Sequence, residues 1–360
     1  MKQKKILISG YHGFNNFGDD AILHVLISDI KNSTGNPEIT VISNNPEKTK
    51  LYYNVKSIYR FDFKNIFSHM QSSDLFISGG GSLLQDITSF KSLLYYLGLI
   101  FFALILGVKT CIYAQGIGPI KSKFGRFLTS ILLKNPDFVA VRDTDSQNFL
   151  NELGVKSVLT ADPVWRLECG GMKYNLAQSN KKIKVGIQLR KWHSLDDEKL
   201  RNLAEAINSN FNNEDYLLIL ISLQDAQDLD VTKRFEKVLK EINSSFETIV
   251  ASDLSICEVS DLISQLSFFI AMRFHANLIS IKFNIPTLAV SYDPKVESLA
   301  IDAQIPYISV KDMNLSELKE KIQVLINNKN TFIDELRNFS EKKQLESRQN
   351  QELLSKILLQ

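Results

Sequence analysis

Phe269-Ile270-Ala271-Met272-Arg273-Phe274-His275-Ala276-Asn277 is the stretch around which the rest of the chain falls into place. Residues 266–271 are apolar enough for a buried strand, and residues 275–283 carry a helical pattern. One arginine and one histidine, two positions apart, stand where that strand ends and the helix begins. In an open α/β sheet this is where ligands bind, outside the carboxyl ends of the strands and against helix N-termini. Arginine there is a permanent planar cation suited to carboxylate or phosphate. Histidine can give or take a proton near neutral pH. The structural alternative is that Arg273 caps a neighbouring helix and His275 is an ordinary first-turn residue.

Strand and helix patterns alternate outward from this point. In the first half, strands are expected at 5–9, 39–42, 75–78, 109–114, 138–141 and 157–160, with a helix over 20–30. In the second half they are expected at 184–189, 217–222, 247–250, 287–290 and 305–310. Such alternation gives mainly parallel sheets with helices on both faces. Between Arg166 and Lys182 the composition turns to glycine and polar residues, including Gln178-Ser179-Asn180-Lys181-Lys182, and reads as a linker. The expected organisation is a Rossmann-like domain at 1–168, a second at 180–312, and docking helices at 313–360. Two such halves facing each other would leave a cleft lined by the carboxyl ends of both sheets.

Composition sets the bounds. The 360 residues are 44% hydrophobic and 23% charged, which is globular. A formal net charge of +2 gives no reason to expect a nucleic-acid partner, so any anion site must be local. Cys111, Cys169 and Cys257 show no paired spacing, which fits a reducing compartment and argues against structural zinc. No apolar signal core precedes the first strand, so a cytoplasmic protein is expected. Residues 93–108 are apolar throughout but shorter than the ~18–20 residues of a bilayer span. They read as a buried helix; the alternative is a helix touching the inner face of the membrane, as peripheral contact.

Three glycine-bearing loops follow expected strands. Gly10-Tyr11-His12-Gly13-Phe14-Asn15-Asn16-Phe17-Gly18-Asp19-Asp20 does not have dinucleotide-fingerprint spacing, and two carboxylates at a helix start would repel phosphate. Gly13, Asn16, Asp19 and Asp20 suit sugar hydroxyls instead; the alternative is that Asp19 is only an N-cap. Gly79-Gly80-Gly81-Ser82 offers backbone N–H groups at an expected helix start, a cradle for an oxyanion. Gln115-Gly116-Ile117-Gly118-Pro119 is the third loop. Arg142, Arg190, Arg273 and Lys295 each follow a strand. Four cations at one rim suit a small ligand with more than one charged group.

Taken together, GYHGFNNFGDDAIL, ISGGGSLLQD, YAQGIGP, VRDTDS with LGV and ADPVW, VGIQLR, and MRFHANLISIKFNIPTLAVSYDPKV resemble the polysaccharide pyruvyltransferases. The likeness runs from Ile6 to about Ile308; nothing after about Met313 matches, and Asp19-Asp20 stands where the family commonly has aspartate-glutamate. The resemblance implies two Rossmann-like domains similar to the GT-B glycosyltransferases. It implies transfer of the enolpyruvyl unit of phosphoenolpyruvate to two hydroxyls of one sugar. The product is a pyruvate ketal on a cell-surface polysaccharide or its lipid-linked precursor, with phosphate released.

Carried over by motif, Arg273 and His275 are the catalytic pair, and Arg142 and Lys295 hold the donor. Arg190, Gly79, Gly80, Gly81 and Gln115 join them as donor-side residues, with the 10–20 loop on the acceptor side. The scheme requires no metal and no cofactor. His275 as acid and His275 as base both remain open. The competing reading is a GT-B glycosyltransferase using a nucleotide sugar, which would need a base and ribose pocket. A non-catalytic assembly subunit would show degraded motifs, whereas Arg142, Arg273, His275 and Lys295 are all present.

Overall fold

The computed structural model describes residues 3–170, 174–176, 183–211 and 215–359. The linker residues Gln178 to Lys182, with Gly171 and Met172, lie outside these. The chain divides into two compact units, residues 1–168 with 343–360, and residues 169–342.

Among the described residues, unit 1 holds a seven-stranded sheet. In chain order it runs β1 (Lys5–Ser9), α1 (Phe17–Thr34), β2 (Glu38–Ser43), α2 (Pro46–Tyr53), β3 (Lys56–Tyr59), α3 (Phe63–Gln71), β4 (Leu75–Ser78), α4 (Phe90–Ile105), β5 (Lys109–Gln115), α5 (Lys123–Leu132), β6 (Phe138–Val141), α6 (Thr144–Glu152) and β7 (Val158–Leu159). The sheet order is β3-β2-β1-β4-β5-β6-β7, with every pairing parallel. Side chains alternate across it, as period-two geometry requires. Leu7, Phe76, Ile112 and Val139 enter one core with α4 residues Leu93, Leu97 and Ile100. Ile6, Ile8, Ile77 and Tyr113 enter the other with α1 residues Leu23, Leu26 and Ile30.

Unit 2 runs β8 (Ile183–Gln188), α7 (Asp197–Asn210), β9 (Tyr216–Ile221), α8 (Asp225–Ile242), β10 (Glu247–Ala251), α9 (Ile256–Ser264), β11 (Phe268–Ala271), α10 (Phe274–Lys282), β12 (Thr287–Ser291), α11 (Pro294–Asp302), β13 (Tyr307–Ser309), α12 (Leu315–Asn327) and the first part of α13 (Lys329–Leu359). Its six strands, among the described residues, are ordered β10-β9-β8-β11-β12-β13, all parallel. One face packs Val185, Leu218, Ile270 and Leu288 against α7, α8 and α12. All four residues of β11 are buried, as a central strand of a doubly covered sheet demands.

Some features lay outside these expectations. Residues 43–74 carry α2, β3 and α3, which the hydrophobic pattern did not reveal. The long helix α13 contributes its last turns to unit 1, where Leu354, Ile357 and Leu358 join the core beside α1. Arg166 anchors that region through two nitrogens on Asp29, at 2.8 and 2.6 Å. Cys169 and Cys257, without paired spacing in sequence, are joined by a disulfide in unit 2, with Cα atoms 5.2 Å apart. Disulfide geometry depends on approach in space, which spacing along the chain does not report. Cys111 is free and buried in the unit 1 core.

Candidate active site

The three glycine-bearing loops of unit 1 follow β1, β4 and β5, which are neighbours in the sheet. Gly13, Asn16, Asp19, Asp20, Gly79, Gly80, Gly81 and Gln115 therefore share one edge, and Arg142, just beyond β6, joins them. The local chemistry differs from expectation in two ways. Helix α1 begins at Phe17, and its cap is Asn16, whose side chain accepts from Gly18 N at 3.2 Å. Asp19 is thus a first-turn residue and not the N-cap. The 79–82 loop does not open a helix, because α4 starts only at Phe90 with Ser89 as its cap.

Gly81 has φ +92°, and a methyl group there would lie 2.6 Å from Asp19 Oδ1. The loop can pass under the Asp19 carboxylate only because the position has no side chain. Gly13 (φ +78°) is likewise pressed on Ser43 Oγ. Gln115 is fully buried and donates to Ser78 Oγ at 2.7 Å and Gly79 O at 2.6 Å, so it holds the strand ends together. Arg142 is buried too. Its Nη1 donates to Asp162 at 2.7 Å and its Nη2 to Ser82 Oγ at 3.1 Å. Burial alone would lower its pKa, but Asp162, Asp143 and, more weakly, Asp19 hold it above the ordinary value.

Two groups at this edge carry unusual electrostatics. Burial pushes the Asp20 carboxyl up to about 7, against the pull of Lys48. A carboxyl poised there exchanges protons at neutral pH, as a general acid or base must. His12 was missed by sequence reasoning. It is buried, its ring presses on Gly10, and burial pushes it down to about 3, so it is neutral at pH 7. Neither ring nitrogen has a hydrogen-bond partner among the described residues, nor do the buried Ser9 Oγ and Gln115 Oε1. Each unsatisfied buried polar atom costs roughly 1–3 kcal/mol, so such atoms call for a functional account. The sequence signal was a histidine inside a glycine-rich loop directly after a strand. Tyr11 and Phe14 stack at 4.0 Å on the same loop, with Arg60 over the Phe14 ring at 5.2 Å.

In unit 2, Arg190, Arg273 with His275, and Lys295 follow β8, β11 and β12, which are adjacent strands. Of the four cations expected on one rim, these three share a sheet edge, whereas Arg142 belongs to the sheet of unit 1. Arg190 donates through Nη1 to Tyr292 Oη at 2.7 Å, tying the β8 and β12 loops together, and its guanidinium lies 5.0 Å from the Tyr292 ring. Its buried Nε has no partner among the described residues. Arg273 is the cap residue of α10 without a capping side-chain bond. Its Nε and Nη2 reach Asp228 Oδ2 and Oδ1, both at 2.7 Å, and Nη2 also reaches Gln224 at 3.1 Å. Asp228 sits in the acidic stretch of α8, which showed no motif. His275 occupies the first turn of α10, half-buried, edge-on to the Phe274 ring at 5.1 Å. Lys295 lies in the first turn of α11, where Asp293 caps its backbone N–H at 3.0 Å. No group of three or more potential metal ligands occurs among the described residues.

The fold is shared widely. The UDP-GlcNAc 2-epimerase of Neisseria meningitidis, solved with UDP-GlcNAc, superposes with TM-score 0.67 at 12% identity over 99% of this chain and 100% of its own. A glycosyltransferase from Rickettsia africae superposes with TM-score 0.64 at 13% identity over 99% of each chain. Anabaena HepE, in complex with UDP-glucose, gives 0.63 at 12% identity over 98% of this chain and 99% of its own. These likenesses establish two Rossmann-like units of the GT-B kind. No curated protein sequence matches. The family model for polysaccharide pyruvyl transferase matches residues 16–294, a span that includes Asp19, Asp20, Arg142, Arg190, Arg273 and His275, and the chain therefore belongs to the polysaccharide pyruvyl transferase family.

Proposed function

We propose that the chain transfers the pyruvyl group of phosphoenolpyruvate to two hydroxyls of one sugar, forming a cyclic ketal and releasing phosphate. The observation that carries this reading is the unit 2 edge, where Arg190, His275 and Lys295 follow three adjacent strands. A donor bearing both a carboxylate and a phosphate suits an edge that carries Arg190 and Lys295 together. Arg142 and Arg273 are each balanced by a buried carboxylate, Asp162 and Asp228, so they offer N–H groups more than net charge.

The reaction begins with a proton delivered to the methylene carbon, which becomes the methyl group and leaves an oxocarbenium-like centre. His275 is the group for that transfer. One sugar hydroxyl attacks the adjacent oxocarbenium-like carbon, which bears the phosphate oxygen, and gives up its proton. The C–O bond to phosphate then breaks, the second hydroxyl closes the ring, and its proton leaves with the phosphate. In unit 1, Asp20 with its raised pKa suits the proton of an attacking hydroxyl. Asp19 and the Tyr11–Phe14 pair are the side chains offered to the sugar.

The second reading, a glycosyltransferase or related enzyme acting on a nucleotide sugar, is favoured by the UDP-sugar complexes among the fold's relatives. One assay separates the two. The protein is incubated with phosphoenolpyruvate and a panel of lipid-linked and model glycosides, and in parallel with UDP-sugars. Phosphate release that requires both donor and glycoside is expected. Nucleotide release without any phosphate from phosphoenolpyruvate would overturn the assignment.

A further inference from the structure

Helices α3, α4 and α5 lie side by side on one face of the unit 1 sheet. Phe67 of α3 and Phe102 of α4 have ring centroids 6.4 Å apart. Gly125 of α5 fits against α4, where a methyl group would lie 2.9 Å from Leu93 Cδ2. Their inward sides form the core described above. Their outward sides are unusual for a water-facing surface. On α4, Phe101, Phe102 and Ile105 point outward; on α5, Phe124, Phe127 and Ile131 do so, at the i, i+3, i+7 spacing of one helix face. These six are between 43% and 64% exposed. On α3, Phe63 and Phe67 extend the same surface. A helix apolar on both sides is expected only where its outer side is also covered, and a contiguous patch of this kind marks an interaction surface.

Charge distinguishes the occupant. The three helices carry Lys64, Lys91, Lys123 and Arg126 and not one aspartate or glutamate, in a chain with 40 acidic residues. Nearby carboxylates are engaged locally: Asp62 caps α3, Asp86 binds the Lys121 and Ser122 amides, and Glu152 pairs with Arg126 at 3.0 Å. Exposed phenylalanines on helices that carry lysine and arginine but no acidic residue are the composition of a surface that seats in an anionic lipid interface. A second copy of the chain, meeting this face with its own, would set the four cations against their duplicates. No helix among the described residues is long and apolar enough to cross a membrane, so the contact is to one leaflet.

We propose that the α3–α4–α5 face docks unit 1 onto an anionic lipid bilayer. The proposal does not depend on the reaction assigned above. The test is flotation of the full chain with phosphatidylcholine vesicles, with and without phosphatidylglycerol. Binding is expected only with phosphatidylglycerol and should fall with added salt. Phe101→Ser/Phe102→Ser/Phe127→Ser and, separately, Lys91→Glu/Lys123→Glu should each weaken it by about tenfold or more. The charge variants alter only exposed side chains, so they keep the test sharp if the triple variant folds poorly. No flotation with anionic vesicles, or charge variants that float like the parent, would overturn the proposal. So would light scattering that shows a dimer dissociated by the phenylalanine variant, since a second copy would then be the occupant.

Discussion

Arg273 grips Asp228 with two nitrogens at once, Nε and Nη2 each 2.7 Å from a carboxylate oxygen, and both side chains are buried. The arginine of the strand-to-helix turn is therefore half of a neutral, rigid pair reaching from β11 to α8. Removing one partner leaves a buried charge unmatched, which typically costs about 3–5 kcal/mol. Asp228→Ala should lower the unfolding free energy by that order in urea titration. Arg273→Lys should not restore it, because an ammonium cannot make the two-pronged contact. A loss below about 1 kcal/mol would mean that the pair is not a structural unit.

Asp20 gives a pH signature. Its folded pKa is raised to about 7 by burial. If it accepts the hydroxyl proton, turnover should rise with pH through about 7 and then level off. Asp20→Asn should remove that limb and leave other ionisations in place. The stability term has the opposite sense: it is fully present below the unfolded carboxyl pKa and lost as pH rises through 7. A wild-type profile flat between pH 6 and 8 would count against the role.

His12 should act on stability from the acid side. Its folded pKa is lowered to about 3, against an unfolded value of 6.5. Protons then favour the unfolded chain, so stability falls as pH drops from 6.5 towards 3, by at most about 5 kcal/mol at 1.36 kcal/mol per pH unit. His12→Phe should flatten that slope in denaturation series at several pH values.

His275→Ala should reduce phosphate release by about 10² to 10⁴ with little change in melting temperature, as expected for a proton-transfer group. Arg190→Ala and Lys295→Ala should instead weaken donor binding, each by roughly tenfold, the worth of one charge-assisted hydrogen bond. Calorimetry with phosphoenolpyruvate separates the two patterns. Unchanged donor affinity in both cation variants would remove unit 2 as the donor side.

Asp19→Asn should raise the acceptor KM or lower turnover while leaving donor affinity nearly intact. Gly81→Ala should produce a similar defect indirectly, because its methyl would strike Asp19 Oδ1 and strain a backbone at φ +92°. Lost donor binding with normal acceptor kinetics in Asp19→Asn would reverse the assignment of substrates to loops.

Much of the architecture was legible in the chain. Apolar runs such as 75–78 and 138–141 are buried on both faces of a sheet, so they announce themselves without alternation, and their observed bounds match. Glycine loops after strands were legible because a tight turn needs a residue without a side chain. The segment from 43 to 74 was not, because α2 and β3 bury little; Thr49 is the one buried residue of α2. What only the tertiary structure decided are relations between residues far apart in sequence. These are the pairing of Arg273 with Asp228 and of Arg142 with Asp162, the joining of Cys169 to Cys257, and the return of α13 to unit 1. Burial, too, is a property of the assembled fold. Local sequence says that Asp20 is an aspartate and His12 a histidine, whereas the walls packed around them set their charge at neutral pH.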